Sequence, residues 1–383
     1  MARALYIHWP FCLKKCPYCD FNSHVRERVD HDAWLSAMLT DMRHEAELAG
    51  DERLESIFFG GGTPSLMPPA LVGSLLTEAE KQWGFAPEIE ITLEGNPSSV
   101  EAANYAALAG AGVNRVSLGL QSLDDAGLRF LGRLHDAREG LEALEIAQTH
   151  FQRVSFDLIY ALPDQTLEHW RSQLERALGF GTGHLSLYQL TIEPGTRFAT
   201  DVRQGGFTPL DDDAAADLFT LTRELTAAAG LPAYEISNHA RPGEESRHNL
   251  TYWRYHDYVG IGPGAHGRRG GMATLRHRKP ENWLSAIKDQ GNGLQQEFAL
   301  SPRDQAAEAL LMGLRLDEGI DIEALGDRLG IATHRLIRED KLAFTHGQGL
   351  TWQSGGRIGV SELGMPLLDA LLPMIVPDEL VEP

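Results

Sequence analysis

The sequence predicts an α/β fold, a parallel sheet covered by helices, with a smaller mixed domain toward the C-terminal end. Three observations carry this reading. Short runs with β-branched and aromatic character alternate with segments of helical periodicity as far as Thr191. Beyond it the rhythm loosens into a stretch rich in glycine, histidine and aromatic residues. At 383 residues, the chain also exceeds the size at which a single core usually stops growing.

The expected strands are "ALYIHW", "LESIFFG", "EIEITLEG", "VNRVSLGLQ", "RVSFDLIYAL" and "HLSLYQLT". Helices are expected between them over Asp32 to Leu48, Pro69 to Trp83, Ser98 to Ala111, Glu139 to His150 and Thr166 to Leu178. Several open on Ser, Asp, Thr or Pro and close near Gly. An α/β barrel and a doubly wound sheet both satisfy this alternation. A further helix, Asp212 to Ala229, leads into "LPAYEISNHARPGEESRHNLTYWRYHDYVGIGPGAHGRRGG", which lacks periodicity. A long irregular stretch in a compact protein is more often functional than idle. From Ser301 the pattern turns helical and then reaches "GLTWQSGGRIGVS", two alternating runs around a Gly-Gly turn, which suggests a winged-helix-like tail. The division expected is a core over 1–235, a loop-rich segment over 236–300 and an accessory domain over 301–383.

Composition narrows the function. Apolar content of 43% and charged content of 23% are ordinary for a soluble protein. With Asp+Glu 54 against Lys+Arg 34, a net charge of -20 opposes a phosphate backbone, and basic residues gather only in "GRRGG" and "LRHRK". Nucleic acid is therefore not the expected partner. The N-terminus lacks the h-region and cleavage site of a signal peptide, and no run approaches the roughly 18 apolar residues of a membrane span. A cytoplasmic chain without membrane insertion is expected, with its thiols reduced.

All three cysteines lie in "PFCLKKCPYCDF": Cys12, Cys16 and Cys19, spaced C-x3-C-x2-C. Pro17 biases Cys16 away from helical dihedrals, so the segment should curl as a loop around one centre. Clustered thiols of odd number argue metal or catalysis over disulfide. A structural zinc would need a fourth ligand from His8, Asp20 or His24, at a spacing uncommon for zinc. An iron–sulfur cluster normally takes one cysteine per iron, so three would leave one iron open to an exchangeable ligand.

Other residues are candidates by position. Gly60, Gly61 and Gly62 follow "ESIFF", where absent side chains let backbone approach a ligand, and no GK[ST] follows to make a phosphate loop. Glu94 and Gln121 end the third and fourth strands, at the edge where an α/β barrel keeps its site. Asp157 shares a strand face with Ser155 and Ile159, and a carboxylate inside a sheet buried on both sides needs partners. Arg133, in "LGRLH", offers a planar fork to a carboxylate. His248, in "RHNLTYW", is one of several histidines in the irregular stretch and reads equally as part of a hydrated loop leading to a helix.

"YIHWPFCLKKCPYCDF" followed by "GGGTP" resembles the radical S-adenosylmethionine (SAM) superfamily. "EGNP", "SLGLQS", "LGRLH", "FDLIYALPDQT", "LSLYQLTIEPGT", "YEISN" and "HNLTYW" resemble its branch related to oxygen-independent coproporphyrinogen III oxidase, and within it the haem chaperones. The resemblance implies a partial, TIM-like barrel with a 4Fe-4S cluster on Cys12, Cys16 and Cys19, and S-adenosylmethionine on the fourth iron. It assigns Tyr6, Gly61, Gly62 and Thr63 to the methionyl end of that cofactor, and Glu94, Gln121, Arg133 and Asp157 to its pocket. It makes His248 a candidate axial ligand to haem, with Tyr252 and Trp253 beside it. Phe21 stands where the oxidases carry a fourth cysteine, and the chain has only eleven residues ahead of Cys12, without the oxidases' N-terminal extension. The expected function is therefore that of a haem chaperone, a carrier more than a catalyst, handing haem to acceptor proteins. The alternatives are a coproporphyrinogen III oxidase and a zinc-stabilised interaction protein.

Overall fold

The computed structural model describes residues 3–50 and 52–381. Six parallel strands pair in chain order: β1 (Ala4–Trp9), β2 (Leu54–Gly61), β3 (Phe85–Gly95), β4 (Arg115–Gln121), β5 (Arg153–Tyr160) and β6 (His184–Gln189). Each is followed by helix: His31–Ala49, Pro69–Trp83, Ser99–Ala102 with Tyr105–Gly110, Asp125–Phe130 with Ala137–His150, Leu167–Leu178, and Asp212–Ala228. Side chains from all six strands line one interior cavity, so the sheet curls into a partial barrel and is not a flat doubly wound sheet.

Local chemistry sets the helix starts. Asp30, Ser98, Asp124, Asp136, Thr166 and Asp211 each cap a helix by accepting a backbone N–H three residues on. The helix expected over Ser98 to Ala111 is instead two short ones. At the break the Asn104 N–H bonds to Glu101 O, three residues back, the tighter turn of a helix end, and asparagine is a poor helix former.

The stretch expected to be irregular extends the sheet. β7 (Asn238–Ala240) runs antiparallel to β6 at one edge. β8 (Tyr258–Ile261) lies parallel to β1, and β9 (His266–Arg269), β10 (Met272–Arg276) and β11 (Leu294–Ala299) continue as an antiparallel meander. Its glycines, which read as loop, serve close strand contact: a Cβ on Gly260 would lie 1.9 Å from the His266 carbonyl oxygen. Arginines of the two basic runs are turned inward. Arg276 donates to Asp41 at 2.6 Å and Glu45 at 2.9 Å, while Arg269 donates to Glu45 at 2.8 Å and Glu297 at 2.6 Å. These pairs bind the first helix to the meander.

The tail follows the order helix, strand, two helices, hairpin: Pro302–Gly313, β12 (Ile320–Asp321), Ile322–Leu329, Glu339–Gly347, β13 (Thr351–Ser354) and β14 (Arg357–Val360). It has its own core around Leu310, Leu325, Leu336, Ile358 and Leu372, which Phe219 and Tyr255 join from the barrel side.

Candidate functional site

The carboxyl ends of β1 and β2 bring the cysteine loop and the glycine turn together. Cys12 sits in the short strand Phe11–Cys12, paired with His24–Val25, and Cys16 and Cys19 are joined by a turn in which the Cys19 N–H bonds to Cys16 O. The glycine turn is laced to this loop: the Gly62 N–H donates to Trp9 O at 2.7 Å and the Thr63 N–H to Phe11 O at 2.9 Å. A Cβ on Gly62 would lie 2.7 Å from Phe11 O, and one on Gly61, whose φ is 115°, would strike the His8 ring. The approach of the two segments therefore requires glycine at both positions.

The three thiols line a cavity of about 140 Å³ with Gly61, Gly62, Thr63, Glu94, Gln121, Arg133 and Asp157. Two of them receive hydrogen bonds, Cys12 Sγ from Thr63 Oγ1 and Cys16 Sγ from Arg133 Nη1, both at 3.4 Å. Burial holds the Cys12 and Cys19 thiols above their ordinary pKa. Among the described residues, no group of three or more His, Cys, Asp or Glu is placed to hold a single metal ion. Arg133 also donates to Tyr18 Oη, Asn96 Oδ1 and Gly119 O, and its buried Nε has no acceptor. Gln121 closes β4 at φ 68°, a backbone conformation that persists in a side-chain residue only where surroundings enforce it.

Below this cavity lies a larger chamber of about 590 Å³, with Gly61, Glu94, Ser117 and Asp157 lining both. Its mid-height walls are Thr92, Ser117, Ser155 and Ser186, small hydroxyl residues where a barrel of this type ordinarily carries branched aliphatics. Asp157 accepts from Ser117 Oγ at 3.0 Å, and burial raises its pKa to about 6. Glu94 accepts from the Gly61 N–H at 3.2 Å, and burial, reinforced by the charge of Asp157, raises it to about 8.

Tyr6 and His248 line the larger chamber and are absent from the lining of the cysteine cavity. Tyr6 donates to or accepts from His8 Nδ1 at 2.9 Å and stacks against Phe58 and His248, with ring centroids at 6.3 and 6.0 Å. His248 belongs to the helix Arg247–Trp253, stacks on Phe58 at 4.9 Å, and has Nδ1 3.4 Å from Ser56 Oγ. Its Nε2 has no partner among the described residues. Burial holds the imidazole neutral, its pKa lowered to about 3. Beneath it, the Glu90 carboxylate accepts from the Arg247 N–H at 3.0 Å and the His248 N–H at 3.4 Å, and pairs with Arg115 at 2.9 Å.

Sequence reasoning thus named every thiol and the buried acids Glu94 and Asp157, and assigned no site role to Tyr18, Asn96, Gly119 or the buried Glu90. Asn96 and Gly119 stand inside the quoted motifs "EGNP" and "SLGLQS". Glu90 alternates with Thr92 and Glu94 on one strand face, so the period-two pattern carried its signal.

Residues 6–177 match the family described as the radical SAM superfamily, and residues 300–367 match the HemN C-terminal domain. The heme chaperone HemW of Haemophilus influenzae is 35% identical over 390 residues, which cover 98% of this chain and 98% of that one. The heme chaperone HemW of Escherichia coli is 39% identical over 82% of this chain and 83% of its own length. A mouse relative, radical S-adenosyl methionine domain-containing protein 1, mitochondrial, is 43% identical over 83% of this chain and 74% of its own. Among solved structures, coproporphyrinogen III oxidase (HemN) from Escherichia coli aligns with a TM-score of 0.82 at 23% identity, over 97% of this chain and 89% of that one, and so shares its fold. Motif, fold and relatives agree: the chain belongs to the radical SAM superfamily, in the HemN-like branch close to the proteins named HemW.

Proposed function

We propose that this chain is a haem chaperone of the radical SAM type, which binds haem beside a 4Fe-4S cluster and S-adenosylmethionine and passes the haem to acceptor proteins in the cytoplasm. The observation that carries this reading is the position of His248, a neutral imidazole with a free Nε2 on a chamber lined by flat aromatic rings. A neutral imidazole nitrogen is the form that ligates iron. Two relatives that match over most of their length are named heme chaperones, which supports the same reading.

The residues fit the cofactor pair that the family implies. Cys12, Cys16 and Cys19 would hold three irons, with Thr63 and Arg133 donating to the sulfurs. The orphaned Nε of Arg133 suits an anionic group such as the methionyl carboxylate. Gly61 and Gly62 would leave backbone open to that end, and Gln121, Glu94 and Asp157, which line the same cavity, would supply polar partners to the rest of the cofactor. When bound, the pair supplies one-electron cleavage of a sulfonium carbon–sulfur bond. Glu94, its pKa raised to about 8, holds a proton that a bound cation would displace, while Asp157, raised to about 6, is mostly ionised at neutral pH.

Hemin titration followed through the Soret band tests the proposal, with His248→Ala as control. Loss or shift of the band in the variant is expected; an unchanged spectrum and affinity would remove His248 from the site. Anaerobic incubation of reduced, cluster-loaded protein with coproporphyrinogen III and SAM should give no sustained turnover. Turnover would favour the oxidase reading.

A further inference from the structure

The basic run "LRHRK" is only partly absorbed by the fold. Arg276 is buried against Asp41 and Glu45, whereas Arg278, two residues on, is exposed and lines the mouth of the large chamber. Its guanidinium has no ion pair or hydrogen bond among the described residues. Its backbone is nonetheless fixed: Asn22 Nδ2 donates to Arg278 O at 2.9 Å and to Pro263 O at 2.8 Å, tying the mouth to the cysteine loop. Gly264 permits this approach, because a Cβ there would lie 2.4 Å from Asn22 Nδ2.

Among the described residues two arginines line the chamber, and the other is committed. Arg115, on the floor, is buried with Glu90 at 2.9 Å and also donates to Glu244 O at 3.2 Å. A ligand that carries carboxylates cannot bury them unpaired without a cost of several kcal/mol. Haem joins a flat apolar macrocycle to two propionates on one edge. The chamber offers an aromatic face, Tyr6, Phe58 and His248, beside its hydroxyl walls and, among the described residues, a single uncommitted arginine at its opening. Its volume of about 590 Å³ lies in the range of small-molecule sites.

Resting on the haem reading above, we infer that Arg278 is the carboxylate-recognising residue of the chamber: haem enters edge-first, iron toward His248, and leaves its propionates at the mouth against the guanidinium. Arginine suits this place because its planar fork pairs with a carboxylate in two parallel hydrogen bonds.

The test compares hemin with iron protoporphyrin IX dimethyl ester, which has the same ring and iron but no anionic edge. Both are titrated by absorbance into the full chain, into Arg278→Glu and into His248→Ala. Arg278→Glu should weaken hemin by about tenfold or more, the loss expected for a charge-assisted hydrogen bond. It should leave the diester unchanged, and Arg278→Lys should restore part of the hemin affinity. Equal weakening of both ligands, or none of either, would overturn the inference. The His248→Ala arm judges the haem reading separately: if hemin needs His248 but ignores Arg278, only the role of Arg278 fails. Arg278 is exposed and unpaired, so thermal melts of its variants should match the parent.

Discussion

Glu94 shows how one residue's environment sets its task. Burial and the neighbouring charge of Asp157 hold its pKa at about 8, so at pH 7 the unliganded protein carries it protonated. A sulfonium or ammonium group placed beside it favours the carboxylate and lowers that pKa, so binding should release a proton. Calorimetry of SAM binding in two buffers of different ionisation enthalpy should read a release approaching one proton at pH 7, abolished in Glu94→Gln. Equal heats in the two buffers would remove Glu94 as the partner of the cation. Asp157 was legible in the sequence because inward residues alternate along a strand and a charge at an inward position needs a reason, and Glu94 because it ends a strand at the edge where a barrel keeps its site. Tyr18 and His8 were not, because their roles come from partners that only the fold brings near. Tyr18 meets Arg133, and His8 meets Asn22 O and the Gly61 turn.

At the scale of elements, the site depends on short segments held by others. The helix Arg247–Trp253 is too short to persist alone. Glu90 takes its first N–H groups and pairs with Arg115 and Arg153, at 2.9 and 3.2 Å, while fully buried. Glu90→Ala would leave Arg115 buried without its carboxylate and should cost about 3–5 kcal/mol in denaturant unfolding. A loss below about 1 kcal/mol, the scale of a surface pair, would mean that the helix is held by its packing instead. The glycine turn makes the opposite demand, for absence of atoms. Gly62→Ala puts a methyl 2.7 Å from a backbone oxygen of the cysteine loop, which must then move. Iron and sulfide content after anaerobic reconstitution should fall while far-UV circular dichroism is preserved; full content would show that the loop yields without losing its thiol geometry. The barrel strands and most helices were legible because each has its own period and caps. The four-residue strands β8 and β9 were not, since their pairing rests on close contact at Gly260, a residue that locally signals a turn.

The whole molecule carries a pH signature of this architecture. Among the described residues, five buried histidines are held neutral by desolvation: His8 and His135 with pKa lowered to about 4, His239 and His248 to about 3, and His184 well below its ordinary value. The folded values are depressed, so as pH falls through about 6.5 the unfolded chain takes up protons that the folded chain refuses. Each histidine then removes about 1.4 kcal/mol of stability per pH unit until its folded pKa is reached. Glu94 and Asp157, raised to about 8 and about 6, act in the other sense. Their contribution is fully present below the ordinary carboxylate range and is lost as pH rises through their folded values. Burial also raises Glu101, Glu235 and Asp317 and lowers His24, His256 and His266, so between pH 4.5 and 6 eight depressed histidines among the described residues outweigh five raised acids and stability should fall with acid. Above about pH 7.5 the histidines are neutral in both states while Glu94 still binds a proton only when folded, so stability should decline slightly with base. A series of melts from pH 4.5 to 8.5 without cofactor should therefore show a maximum near neutrality with a falling acid limb. A flat acid limb would mean that the buried imidazoles accept protons in place.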